Sequence, residues 1–165
     1  VVIGCLRADG SIDIENNQRL KDAAGDMSVT FHRAFDRCAN PMLALEQLCE
    51  LGIDRILTSG QQPTAEQGIN LLRTLNMAAA GRIKILAGCG VNENNISKIH
   101  EETGVNEFHF SARIPVKSHM QYANPNVYMG DKDADESTLM YTSAERVKAT
   151  TLSYTPQTLP TKLEL

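Results

Sequence analysis

The stretch Thr30-Phe31-His32-Arg33-Ala34-Phe35-Asp36 decides how this chain is read. An apolar run begins at Val29 and gives way to His32, Arg33 and Asp36 within a few residues. Titratable groups at the end of a buried segment are expensive unless they pair or bind something. In parallel α/β domains the carboxyl ends of the strands share one rim, and sites are built there. Residues 28–34 are therefore read as a strand that delivers its last side chains to that rim.

Outward from this stretch one pattern repeats: short apolar strand, polar turn, amphipathic helix. Residues 1–6 open as a strand. Asp13 is placed to cap a helix that runs to Ala24 and stops at Gly25. Asn40-Pro41 starts the next helix, because Asn accepts from orphan amides and Pro fits the first turn. Leu45, Leu48 and Cys49 share its inner face, and Gly52 ends it. Residues 55–59 form the third strand. Thr64-x-x-Gln67 is a capping box for a helix with Ile69, Leu72 and Leu75 inward, closed by Gly81. Residues 83–87 form the fourth strand. Asn92 caps a shorter helix with Ile96 and Ile99 inward, Gly104 stops it, and residues 107–112 form the fifth strand.

Strands separated by single helices imply right-handed βαβ units and a parallel sheet. At roughly thirty residues per unit, the period is that of an eight-unit TIM barrel of ~250 residues. The expected fold class is α/β: one domain over residues 1–165, a portion of a (β/α)8 barrel with about five parallel strands in residues 1–113. Residues 114–141 lose the period around Pro115, Asn124-Pro125 and Gly130 and are read as an irregular loop, acidic and solvated over 131–136. Thr142-x-x-Glu145 is a second capping box, for a final helix over 142–152. Residues 153–165 read as a loose tail. Residue 1 is Val and the strand pattern starts at once, so an N-terminal portion is expected upstream.

The 165 residues are 42% hydrophobic and 22% charged, ordinary for a soluble domain with a real core. Trp is absent and aromatics are few, so aliphatic side chains must build that core. The net charge of -4 gives no electrostatic reason to expect nucleic acid or an anionic membrane. No apolar run approaches the ~20 residues of a membrane span, and no signal peptide is read, so a cytoplasmic location is expected. Cys5, Cys38, Cys49 and Cys89 form no CxxC or zinc-type pair and read as reduced thiols, Cys38 at a helix start and Cys49 in the core. Asn95-Ile96-Ser97 matches a glycosylation acceptor and is treated as chance.

The presumed rim collects Cys5, then His32, Arg33 and Asp36, then Thr58, Ser59 and Gln61, then Gly88-Cys89-Gly90, then His109, Ser111 and Arg113. Strand alternation points Phe31, Phe108 and Phe110 at the helices, and Thr30, His32, Glu107, His109 and Ser111 into the barrel. His32, Arg33, Asp36 and His109 are the candidate catalytic residues. His32 would act as acid or base, Asp36 would orient it, and Arg33 would hold an anion. A Glu107–His109 pair is equally compatible with a structural role. Gly88 and Gly90, with Ser111 and Arg113, form a candidate anion site, since closely spaced glycines let amides approach an anion. GxG alone is weak evidence and also describes a tight turn. Cys5 and Cys89 are candidate thiolate ligands for a soft metal such as Cu(I), although a small buried thiol is the commoner case.

The strings "TFHRAFDRCANPMLALEQL", "LGIDRILTSGQQPTAEQGINLL", "GRIKILAGCGV" and "TGVNEFHFSAR" resemble the CutC family of copper homeostasis proteins, from Val1 to about Gly130 and weakly into the last helix. "NPNVYMG" is similar to the family's post-barrel loop. The resemblance implies a TIM barrel of which this chain carries the later five βα units, beginning at the fourth strand. It implies cytosolic copper handling, a metal or small-molecule ligand, and a homo-oligomer for the full-length family. The family's early-strand cysteine, usually proposed as a copper ligand, has no counterpart here. Where the family usually has a third glycine after the seventh strand stands Cys89, a change expected to tighten or partly block an anion loop. The rim positions His32, Arg33, Asp36, Ser59, His109 and Ser111 match the family and look like those of an enzyme, without defining a reaction.

Three expectations follow: a copper homeostasis protein binding Cu(I), a barrel enzyme on a small anionic or phosphorylated substrate, or a truncated product without independent function. The third arises because five of eight strands leave two open edges.

Overall fold

The computed structural model describes residues 1–124, 126–127, 130 and 135–154. Five strands, β1 (Val2–Ile3), β2 (Thr30–Phe31), β3 (Arg55–Thr58), β4 (Lys84–Gly88) and β5 (Glu107–His109), form a parallel sheet in the order 1-2-3-4-5. Between them lie α1 (Ile14–Ala24), a 3-10 helix (Arg33–Arg37), α2 (Pro41–Glu50), α3 (Ile69–Ala79) and α4 (Ile96–Thr103). The strand order never reverses, so right-handed crossovers place the helices on one face, as in a barrel wall and unlike a doubly wound sheet. β1 and β5 do not pair with each other, and the sheet stays open.

The helix-facing side of the sheet is the core. Phe31 and Ile56 meet Leu45 and Leu48 of α2, Leu72 and Leu75 of α3, and Ile99 of α4, all essentially without solvent contact. Fully burying one such side chain contributes about 1.5–3 kcal/mol. On the opposite face, Thr30, Arg55, Leu57 and Leu86 are half-exposed and Lys84 is exposed.

Several ends follow the sequence. Asp13 accepts from the Asn16 amide and Asn40 from the Leu43 amide, while Gly25 and Gly104 take positive φ, 57 and 70, at helix C-termini. Others differ. β2 stops at Phe31 because His32 Nδ1 accepts the Ala34 amide at 3.0 Å and opens the 3-10 turn. This turn seats Phe35 in the core. Thr64 Oγ1 accepts the Gln67 amide at 3.3 Å, yet α3 begins only at Ile69. Ala80, not Gly81, is its C-cap. Asn92 makes an Asx turn to Asn94, and α4 starts later, at Ile96.

The irregular loop expected over 114–141 is corrected at both ends. β6 (Arg113–Lys117) and β7 (Thr138–Thr142) form an antiparallel pair that leads into α5 (Ala144–Tyr154). Pro115 hid this pair from the sequence reading. The amides of Ser118 and Ser143 donate to Ser137 and Ala112, so the bonded pairs fall at even positions of β6. Pro115, opposite Met140, occupies a non-bonded position where its missing N–H costs no ladder bond. Residues 131–134 of the acidic stretch, Pro125 and the tail 155–165 lie outside the described residues.

α5 is tied down by Arg146, whose Nε and Nη2 each meet Glu93 at 3.0 Å. Tyr154 packs edge-on against Phe108 and His100, and its hydroxyl donates to the Asn106 carbonyl at 2.8 Å. Among the described residues, no helix is long and apolar enough to cross a membrane.

Candidate functional site

The 3-10 helix after β2 and the loop after β3 meet at Asp36. Its Oδ1 accepts from Thr58 Oγ1 at 2.5 Å and from the Ser59 and Gln61 amides at 3.0 and 3.1 Å. Its Oδ2 accepts from Arg33 Nε at 2.7 Å and lies 3.1 Å from Ser59 Oγ. Gln61, at φ 56, also donates Nε2 to the Cys38 carbonyl at 2.8 Å. Asp36 is therefore saturated by its neighbours, and its side chain is only 8% exposed.

The outcome of the network is a fixed arginine. Arg33 Nη2 donates to Ser59 Oγ at 2.9 Å, while 42% of the side chain stays open to solvent. The hydrogen bond to Asp36 raises the guanidinium above its ordinary value, and Cys89 adds to this. Asp36 and Ser59 engage two of the five N–H groups.

The His32 ring packs against Gly4, where a Cβ would collide with the imidazole. With Nδ1 accepting from Ala34, the neutral ring carries its proton on Nε2. The expected His32–Asp36 pair is not formed: Asp36 is taken up by Arg33, Thr58, Ser59 and Gln61 instead. His109 stands against Gly88, at the register position opposite it.

Other expected groupings separate. Glu107 does not join His109. Burial works to raise its carboxyl, but Arg55 at 2.6 Å and Lys84 at 3.0 Å hold it below the usual range. Arg55 and Lys84 begin their strands, so this trio lies at the end of the sheet away from the rim. The Gly88/Gly90 loop does not lead directly into a helix. The Gly90 carbonyl accepts from the side chains of Asn92 and Asn95. Cys89 takes φ 78, a conformation natural to glycine, and its Sγ donates to the Pro63 carbonyl. Ser111 is exposed, and Ala112, at φ 47, turns the chain so that Arg113 begins β6.

Cys5 and Cys89 follow strands three spacings apart, roughly 14 Å at the usual interstrand distance, too far to share one ion. Among the described residues no group of three His, Cys, Asp or Glu side chains is placed to hold a metal. Sequence reasoning overlooked Gly4 as the floor of His32 and Gly68, which packs on the backbone of Ser59 and Gly60. A glycine inside a strand pattern, as in "VVIGC", is the signal of such close approach.

This is a parallel α/β chain wound as a barrel wall, with a polar rim at its strand ends. The CutC family model matches residues 1–114, and the chain belongs to that family. A CutC family protein of Bacteroides thetaiotaomicron is 57% identical over 148 residues, covering 89% of this chain and 59% of its own length. One from Parabacteroides distasonis is 56% identical over 150 residues, covering 90% and 62%. This chain thus spans about three fifths of the curated relatives it matches. The crystal structure of CutC from Streptococcus agalactiae, provisionally named for copper homeostasis, superposes with a TM-score of 0.62 at 33% identity. It covers 66% of this chain and 53% of that one.

Proposed function

We propose that the rim of this chain receives a small anionic ligand, a phosphate or carboxylate group, on Arg33. The supporting observation is the immobilised and still open guanidinium, held by Asp36 and Ser59. Such a fork needs little reordering to bind an oxyanion. Asp36 offsets part of its charge, so recognition would rest on geometry more than on net field. His32, with its proton on Nε2, is the neighbouring group that would donate to the ligand, and it would do so without a carboxylate behind it. Titration of the chain with inorganic phosphate, followed by NMR, tests this. Saturable shifts in the wild type that vanish in Arg33→Met are expected; equal binding by both, or none by the wild type, rejects the reading.

A second reading takes copper homeostasis from the name of the streptococcal relative, and adds Cu(I) as the cargo and the cytosol as the place. Cys5 and Cys89 are both half-exposed thiols of the rim, and Cys89 is the one that acts on Arg33. Competition against a Cu(I) chelator should show weaker binding in Cys89→Ser and no change in Cys5→Ser. Unchanged affinity in both would remove these thiols from copper handling.

A further inference from the structure

Around Arg33 the chain uses up its own acceptors. Asp36 Oδ1 takes the Thr58 hydroxyl and the Ser59 and Gln61 amides, and Oδ2 takes Arg33 Nε. Ser59 Oγ accepts from Arg33 Nη2 and gives its proton to the Gln62 carbonyl at 2.5 Å. Thr58 Oγ1 accepts the Gly60 amide and is buried. The Pro63 carbonyl accepts from Cys89 Sγ, and His32 Nδ1 accepts from the Ala34 amide. What remains is of one kind. Asp36 and Ser59 engage two of the five N–H groups of Arg33, which leaves three on a side chain 42% open to solvent. His32 keeps its Nε2–H, which has no hydrogen-bond partner among the described residues. A guanidinium has no acceptor to offer, and the one acceptor of this imidazole is already taken.

We propose that this site, resting on the reading of Arg33 given above, takes oxyanions that present acceptor oxygens alone: sulfate groups, carboxylates and fully ionised phosphate esters. A ligand that turns its own O–H toward the site sets a donor against donors, and that proton gives up water without gaining a partner. Sites built on hydrogen bonds discriminate through such mismatches. A free carboxylate beside the arginine would do the reverse: it would accept a P–OH and repel sulfate. Asp36 is the carboxylate in that place, and the neighbouring amides withhold it, with 8% of its side chain exposed. His32 reads the ligand with fixed polarity. Its Nδ1 gains a proton only by releasing the Ala34 amide, so the ring donates to the ligand and takes no proton from it.

Calorimetric titration of the full chain with two pairs of anions of equal charge tests this. At about pH 8 sulfate and inorganic phosphate are both dianions, and phosphate keeps one O–H. At about pH 5.5, below the second phosphate ionisation, phosphate is a monoanion with two O–H groups, and methyl sulfate is a monoanion with none. Asp36 and Cys89 act on Arg33, and His32 adjoins it; the two members of a pair meet these groups in the same state. Sulfate should bind at least as tightly as phosphate in the first pair, and methyl sulfate about tenfold more tightly than phosphate in the second. Phosphate as the tighter member of either pair, or equal affinities in the second, overturns the proposal and leaves Arg33 an anion site. Binding of none of these anions overturns the reading of Arg33 and the proposal with it. So does equal binding by Arg33→Met, with its fold confirmed by circular dichroism. Nitrogen NMR of the histidine-labelled chain at about pH 8 supplies a second measurement. His32 should be the Nε2–H tautomer both free and with sulfate; a proton on Nδ1 in either state overturns the proposal.

Discussion

Arg33 and Asp36 stand one turn apart in the 3-10 helix, joined by a 2.7 Å Nε–carboxylate contact, and only the arginine is open to water. The two partners therefore differ in what they hold. Arg33 reaches outward; Asp36 gathers the amides of Ser59 and Gln61 and the hydroxyl of Thr58.

Replacing Asp36 should accordingly cost more than replacing Arg33. Asp36→Ala orphans buried donors and is expected to lower stability by about 3 kcal/mol. Arg33→Met removes a half-exposed charge and is expected to cost about 1 kcal/mol or less. Urea unfolding midpoints at constant m-value give the comparison. Equal costs would mean that the ion pair, not the amide cluster, carries the stability.

Gly68 touches the backbone of Ser59 and Gly60, and a Cβ there has a carbonyl in its way rather than a movable side chain. Gly68→Ala should displace the Thr58–Gln61 segment and destabilise by at least about 1–3 kcal/mol, the usual range for overpacking. Gly130→Ala, with open space around it, should be near neutral. Thermal unfolding of the two variants side by side checks the contrast.

The attachment of α5 should depend on acid. Hydrogen bonds from Arg146 hold Glu93 below its ordinary value of 4.5. A carboxylate lowered in the folded state binds fewer protons there than in the unfolded chain, so stability rises with pH in that range. The contribution is complete above the unfolded value and is lost as pH falls through the folded one. Hydrogen exchange of residues 144–154, corrected for intrinsic rate, should show α5 loosening below about pH 4.5 while β3 and β4 stay protected. Glu93→Gln should abolish the pH dependence and leave α5 loose throughout.

Thiol labelling should divide the cysteines. Burial pushes the Cys38 and Cys49 thiols up. At mildly alkaline pH both should react with an alkylating reagent more slowly than Cys5 and Cys89, as read by peptide mass over time. Cys38, the most buried of the four, should be the slowest.

The βα period was legible because several helix ends carry their own punctuation. Asp13, Asn40, Gly25 and Gly104 act where local chemistry places them, and the Leu45/Leu48 and Leu72/Leu75 spacings face the core. The rim was legible as a region, since Arg33, Asp36, Thr58, Ser59 and Gln61 do converge. Pairings within it were not. Asp36 stands four residues from His32, yet a backbone amide claims the imidazole and amides of the next loop claim the carboxylate. Glu107 and His109 share a strand face, but alternation cannot tell which end a long carboxylate reaches for. The β6–β7 pair escaped because Pro115 signals a loop until its ladder position is known.

Ala112 joins the parallel sheet to the β6–β7 arm while holding φ 47, and its carbonyl accepts the Ser143 amide. A single alanine in a left-handed turn thus works as a rigid bracket: it fixes the angle at which the arm leaves the sheet. Glycine at that position would relieve the turn but convert the bracket into a swivel, so the arm's aim would be lost before its fold.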